Sequence, residues 1–234
     1  MMLIRVKRTV KWLLAGALLS LAAFAAVATY TNVSVEVTAE DVQVFESLGL
    51  KKPNVSLTFE QQMALIRKVQ YEVFKRAPPG KFIPDYQPRE PADLMRYGQG
   101  QCFDRSRTFD KALSWLGMET RHVFLLYREN KSFFSAATEP GHRSHAVTEV
   151  KTSKGWMVVD SNYEWIALTP QGEPVNADEV WKRYSEFADA PEDLNHAWWA
   201  IRGMYSRGGK FYAPYVPFPE FNWVDFLSWS VERG

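Results

Sequence analysis

No charged residue occurs between Lys11 and Glu36, and that gap constrains the chain more than any other feature. Arg5, Lys7, Arg8 and Lys11 precede it, and the 19 residues from Trp12 to Tyr30 are uncharged and mostly apolar. As a helix rising about 1.5 Å per residue, such a run reaches about 30 Å, the thickness of bilayer hydrocarbon. Peptide groups in hydrocarbon must bond within their own segment, so the run is expected to be helical. A transmembrane anchor over 12–30 follows, with the basic residues of 1–11 in the cytoplasm. Glu36, Glu40 and Asp41 are the first charges beyond the run, so the positive-inside bias puts the rest of the chain outside the cytoplasm. The expected location is a bacterial inner membrane, crossed once, with the body of the chain in the periplasm. The alternative is secretion after signal cleavage, for which Ala26-Val27-Ala28 offers a small-x-small site. A secretory apolar core is usually about 7–15 residues, and the longer run here favours the anchor.

With 234 residues, 46% of them apolar and 15% aromatic, the remainder is long and apolar enough for one packed domain or at most two. A formal charge of +1 argues against nucleic acid as a partner, since polyanion binding needs a clustered basic surface. The segment 31–57 reads as a tether with a short helix over 39–50 that stops at Gly49. A firmer helix starts at Thr58, where Thr58 and Gln61 fit a capping box and Phe59, Met63, Ile66, Val69 and Val73 keep helical spacing; Pro78-Pro79-Gly80 ends it. After a turn-rich loop over 81–89, Pro91 in a first turn opens a helix that stops at Gly98.

Cys102 is the single cysteine of the chain and lies where Gly100-Gln101 feeds a helix expected to run to Trp115 and stop at Gly117. Unpaired N–H groups and the macrodipole favour a thiolate at such a helix start. Residues 121–128 read as a strand with His122, Phe124 and Leu126 on one face and Val123, Leu125 and Tyr127 on the other. The segment 131–143, with Phe133, Phe134 and Gly141, reads as a loop bordering the cleft as a flap. Residues 143–150 and 154–160 then form a hairpin. His145 and Asp160 have an odd index sum, so an even-numbered hairpin loop puts their side chains on one face, opposite each other or two residues apart. A thiol, a base and a base-orienting carboxylate are the parts needed to attack an acyl carbon. The Cys102 backbone N–H is an expected oxyanion donor, with Gln101 or another loop as the second. His142 is an alternative base, although an extended chain points it away from His145. His122 and His196 read as structural, and Asp104 as support for the helix start. Four scattered histidines and one cysteine lack the paired spacing of a zinc site, so neither metal nor cofactor is expected. Further on, 162–168 reads as a strand, 176–187 as a helix capped by Asn176, and a second helix follows Pro191. The aromatic tail from Ala197 to Trp229 reads as an extended segment covering the core before a last short helix; the alternative is a binding wall or a membrane-contacting surface near the anchor.

Gly100-Gln101-Cys102-Phe103-Asp104, the helix end Leu113 to Arg121, the His145-Ala146 to Glu149 strand and Gly155-Trp156 to Asp160 together resemble the transglutaminase-like core, in that order, over roughly 90–165. Val147 stands where the family often has an aromatic, and Arg105-Ser106 where it often has a small residue. The resemblance implies an α+β, papain-like core in which a helix carrying the nucleophile packs on an antiparallel sheet, and a Cys102, His145, Asp160 triad with Gln101 and Trp156 at the oxyanion and substrate side. The corresponding division is a catalytic core over 58–196 and a C-terminal extension over 197–234. The expected activity is thiol-dependent hydrolysis of a peptide or isopeptide amide. Transamidation of a protein glutamine is the alternative, and a third reading from another class is a catalytically silent module that binds peptide or glycan, or scaffolds a cell-envelope assembly with a cell-envelope protein as partner.

Overall fold

The computed structural model describes residues 2–81, 83–84, 87–208 and 219–233. Helix α1 (Met2–Tyr30) opens the chain. Its stretch Val10–Tyr30 is long and apolar enough to cross a membrane, and Trp12, Leu13, Leu14, Leu18 and Leu19 are all exposed. The short helix α2 (Ala39–Ser47) is capped by Thr38, whose hydroxyl accepts from the Asp41 N–H while the Asp41 carboxylate accepts from the Thr38 N–H. Helix α3 (Phe59–Arg76) begins with the Thr58–Gln61 capping box expected from sequence. It buries Met63, Ile66, Val69, Gln70, Val73 and Phe74. Helix α4 (Pro91–Tyr97) has proline in its first turn and ends at Gly98, which adopts φ +66° as a left-handed cap requires.

Helix α5 (Cys102–Trp115) runs from the cysteine to a stop at Gly117, φ +90°. The chain then enters a four-stranded antiparallel sheet: β1 (Glu119–Tyr127), a short helix α6 (Phe133–Thr138), β2 (Ser144–Thr152), β3 (Gly155–Val159) and β4 (Trp198–Arg202). The spatial order is β3-β2-β1-β4. Val123, Leu125 and Tyr127 of β1 belong to the main core, which also holds Ile66, Val69, Phe109, Ala112, Leu113, Val147 and Trp198. Phe124 and Leu126, of the opposite parity, belong to a second cluster with Ala136, Ile201 and Met204. The sheet is therefore covered on both faces. A two-stranded pair, β5 (Met204–Ser206) with β6 (Glu220–Phe221), leads to the final helix α7 (Trp223–Arg233).

Five expectations change. The 131–143 loop contains α6, capped by Ser132, because Ala136 finds a buried seat in the second cluster. Residues 176–187 form turns and a single 3-10 turn, Tyr184–Glu186, instead of a helix. There Ala177 donates its N–H to Glu149 and Val175 to Ala167, bonds that hold the backbone to neighbouring segments. After Pro191 there is likewise only the 3-10 turn Glu192–Leu194. Residues 162–168 make isolated bridges, Val159 with Ile166 and Leu168 with Pro174, instead of a strand. The tail expected to cover the core contributes the edge strand β4 to the main sheet, pairing Leu125 with Ala200. The part of that tail over 209–218, with its prolines, lies outside the described residues.

Candidate active site

The hairpin decides where His145 and Asp160 sit. Strands β2 and β3 pair Thr148 with Val159 and Thr152 with Gly155, leaving the two-residue turn Ser153-Lys154. Continuing that register by one residue sets Asp160 opposite Val147, two residues from His145 on the same face, as the parity argument requires. His145 Nε2 lies 2.9 Å from Asp160 Oδ2. A carboxylate oxygen only accepts, so Nε2 carries the shared proton. The other ring nitrogen is left for the Cys102 side, from which the sulfur helps to raise the His145 pKa. Both partners of the His145–Asp160 pair are buried, and Cys102 is partly exposed. Burial pulls the His145 pKa down, but the Asp160 charge and hydrogen bond, joined by Cys102, outweigh it and push the imidazole up to about 10. At neutral pH the ring beside the sulfur is an imidazolium.

Asp160 is fixed from two sides. Its Oδ1 accepts the N–H groups of Asn162 at 2.7 Å and Tyr163 at 3.0 Å. On the other side, the Gln70 amide donates to the carbonyl oxygens of Asp160, Tyr163 and Trp165 at 2.8–3.0 Å. Gln70 interrupts the apolar face of α3 for this purpose.

The start of α5 is held just as firmly. Gln101 is its N-cap, and its backbone N–H donates to Asp104 Oδ2 at 2.8 Å. Asp104 Oδ1 accepts from Arg89 Nη1 at 2.9 Å, an ion pair with both side chains buried. Arg105 then joins the two halves of the site. It donates through Nε to Ser161 O, through Nη1 to Gly100 O and through Nη2 to Asn162 Oδ1. One guanidinium thus ties the loop before Cys102 to the loop after Asp160. Burial lowers its pKa, and the charges of Cys102, Asp104 and Asp160 oppose that shift. Gly100 permits this packing, since a Cβ there would lie 2.6 Å from Leu94 Cδ1 and 3.0 Å from Asp104 Cβ.

Of the residues singled out from sequence, Cys102, His145 and Asp160 come together. The side-chain amide of Gln101, the second oxyanion candidate, donates to Gly80 O at 2.9 Å. Its backbone N–H is taken by Asp104, which leaves the Cys102 N–H as the first-turn donor nearest the sulfur. Trp156 lies elsewhere: four residues before Asp160 along the strand, roughly 13 Å at about 3.3 Å per residue, with Arg121 stacked 3.7 Å from its ring centroid. His142 is occupied by Tyr127 O at 2.7 Å and by Glu139 at 3.2 Å. His122 is buried against Ser106 and Asp110, and Asp104 carries out the supporting role expected of it. Among the described residues, no three His, Cys, Asp or Glu side chains are grouped as metal ligands would be. Sequence reasoning missed Gln70, Arg89 and Arg105. Their signal was weak: a glutamine on an apolar helix face, and arginines that read as ordinary surface charge until their burial is known.

Residues 53–161 match the family model of the transglutaminase-like superfamily, and the mixed helix and antiparallel sheet architecture agrees with that core. No curated protein matches the sequence. Among solved structures, a chain in the crystal structure of Rad4-Rad23 bound to a 6-4 photoproduct UV lesion is similar, with 13% identity and a TM-score of 0.35. The match covers 60% of this chain and 38% of that one.

Proposed function

Starting from the transglutaminase-like domain at residues 53–161, we propose that this protein is a thiol-dependent hydrolase of peptide or isopeptide amides. The observation that carries the reading is the buried His145–Asp160 hydrogen bond at 2.9 Å, with Cys102 at the start of α5 close enough to raise the imidazole pKa. In this mechanism the Cys102 sulfur attacks the amide carbon, and the oxyanion that forms is stabilised by the Cys102 backbone N–H at the start of α5. The imidazolium of His145 gives its proton to the departing amine and is left as the base that activates water against the thioester. Asp160 holds the ring in the required orientation and supports its positive charge. Arg105 and Gln70 act as positioning residues, keeping Asp160 and the Cys102 loop in register.

The basic residues in the first turns of α1 and the acidic ones after it support a single-pass anchor with the catalytic domain outside the cytoplasm, where a peptide or protein of the cell envelope is the substrate or partner. The test uses a neutral thiol-directed electrophile on the full chain. Cys102 is expected to react faster than a free thiol near neutral pH and to lose that advantage in His145→Ala. Equal reactivity of the two proteins with folding intact rejects the enzymatic reading and leaves a catalytically silent binding module.

A further inference from the structure

Helix α7 is apolar on two sides. Phe226 and Trp229 turn inward and pack on Phe124, Leu126, Ile201 and Met204. Val224, Leu227 and Val231 form a second stripe, with 73, 50 and 81% of their surface exposed. At about 100° per residue these three side chains fall within an arc of roughly 60°, well away from the inward face. Helices that are apolar nearly all round have a second covering.

The first turn of α7 indicates what that covering is. Trp223 lies on the helix surface between the two apolar faces, and its ring meets Phe24 of α1 edge-on, with centroids 5.2 Å apart. The junction is also tied by hydrogen bonds: Val33 N–H to Phe221 O at 2.8 Å, Trp223 N–H to Asn32 Oδ1 at 3.1 Å, and Asn222 Nδ2 to Val33 O at 2.9 Å. The exposed stripe therefore continues the exposed apolar flank of α1. Depth agrees as well. Phe24 lies six residues before Tyr30, the last residue of α1, which is roughly 9 Å along the axis. Interfacial amphipathic helices sink about 5–10 Å into the boundary between headgroups and acyl chains, and tryptophan is enriched at that level.

We propose that α7 lies in the outer interface of the bilayer that α1 crosses, with Val224, Leu227 and Val231 among the acyl chains. The inference rests on α1 being a membrane span. Two elements then hold the domain, so Cys102 works at a set height and tilt above the lipid surface instead of swinging on the 31–37 tether. Gly203 couples α7 to the sheet rigidly. It has φ +71°, and a Cβ there would lie 2.8 Å from both Asn222 O and the Phe226 nitrogen.

The test places a spin label at Val224→Cys, Leu227→Cys or Val231→Cys in the full chain carrying Cys102→Ala, reconstituted in phosphatidylethanolamine–phosphatidylglycerol vesicles. Leu18→Cys in α1 and Ser153→Cys in the β2–β3 turn are the references. The stripe labels are expected to match Leu18→Cys, colliding freely with oxygen and shielded from a water-soluble nickel chelate, while Ser153→Cys shows the reverse. Stripe labels as open to nickel as Ser153→Cys overturn the proposal. Labels shielded from both reagents also overturn it, because a second copy or a partner protein then covers the stripe. In either case a lipid-embedded Leu18→Cys leaves the anchor reading standing, whereas nickel access at Leu18→Cys removes the anchor and the proposal together.

Discussion

Replacing Asp160 with asparagine tests the site at its most informative atom. The two Asp160 oxygens have different tasks: Oδ1 accepts the N–H groups of Asn162 and Tyr163, and Oδ2 accepts from His145 Nε2. An asparagine has one acceptor oxygen, and the two backbone donors claim it. Its NH2 group then faces His145, Nε2 must accept, and the ring proton moves to the nitrogen beside Cys102. A neutral ring protonated there cannot take a proton from the thiol. Losing a charge-assisted hydrogen bond of about 1.5–3 kcal/mol weakens the imidazolium state by about 10- to 100-fold at roughly 1.4 kcal/mol per decade. The chain has a single cysteine, so iodoacetamide uptake reports Cys102 alone. Asp160→Asn is expected to move the His145 titration, read in the pH profile of alkylation, down by about one to two pH units from about 10 and to slow amide turnover by about 10⁴, with the circular dichroism spectrum unchanged. A variant with the wild-type pH profile would refute the claim that Asp160 controls the charge of His145.

Arg105→Met removes the donor shared by the Gly100 and Ser161 carbonyls. Two buried acceptors left unpaired at about 1–3 kcal/mol each predict a loss of about 2–6 kcal/mol in urea unfolding, and a loss below about 1 kcal/mol would show that the clamp is not structural. The His145 pKa, raised from 6.5 to about 10, gives a stability dependence of definite sign. Between those values the native state binds a proton that the unfolded chain releases, so the contribution is complete below about 6.5 and is lost as pH rises through 10. Thermal melting from pH 6 to 10.5 should show this decline in the wild type and a flatter profile in His145→Gln; parallel profiles would contradict it. Gly203→Ala combines a left-handed backbone, costing about 1–2 kcal/mol for an L side chain, with a Cβ 2.8 Å from backbone atoms of the α7 entry. A melting temperature equal to wild type would mean that this approach is looser than described.

The legible parts of the chain are those governed by local rules. The Thr58 capping box, the glycine stops at Gly98 and Gly117, the β1 alternation and the odd index sum of His145 and Asp160 each depend on neighbours a few residues away or on a short hairpin. The failures share one cause. Residues 176–187 have helical spacing and a good cap, but contacts with distant segments, such as Ala177 N–H to the buried Glu149 carboxylate and Trp198 Nε1 to Ala177 O, accompany a chain that closes only separate turns, Val180 on Asn176 and Arg183 on Glu179. The Trp198–Arg202 strand was hidden because its partner, β1, lies more than seventy residues upstream, beyond the reach of any periodicity.

The candidate site divides along this line. From sequence came a cysteine at a helix start, His145 and Asp160 on one face of a hairpin, and an apolar run suited to a bilayer, because each is a matter of spacing along one short segment. Only the tertiary structure brought Arg89 onto Asp104, spread Arg105 between Gly100 and Ser161, and turned Gln70 toward the Asp160 loop. A buried polar side chain is tolerated only where distant backbone groups converge to satisfy it, and that convergence is a property of the packed chain, not of any stretch of its letters.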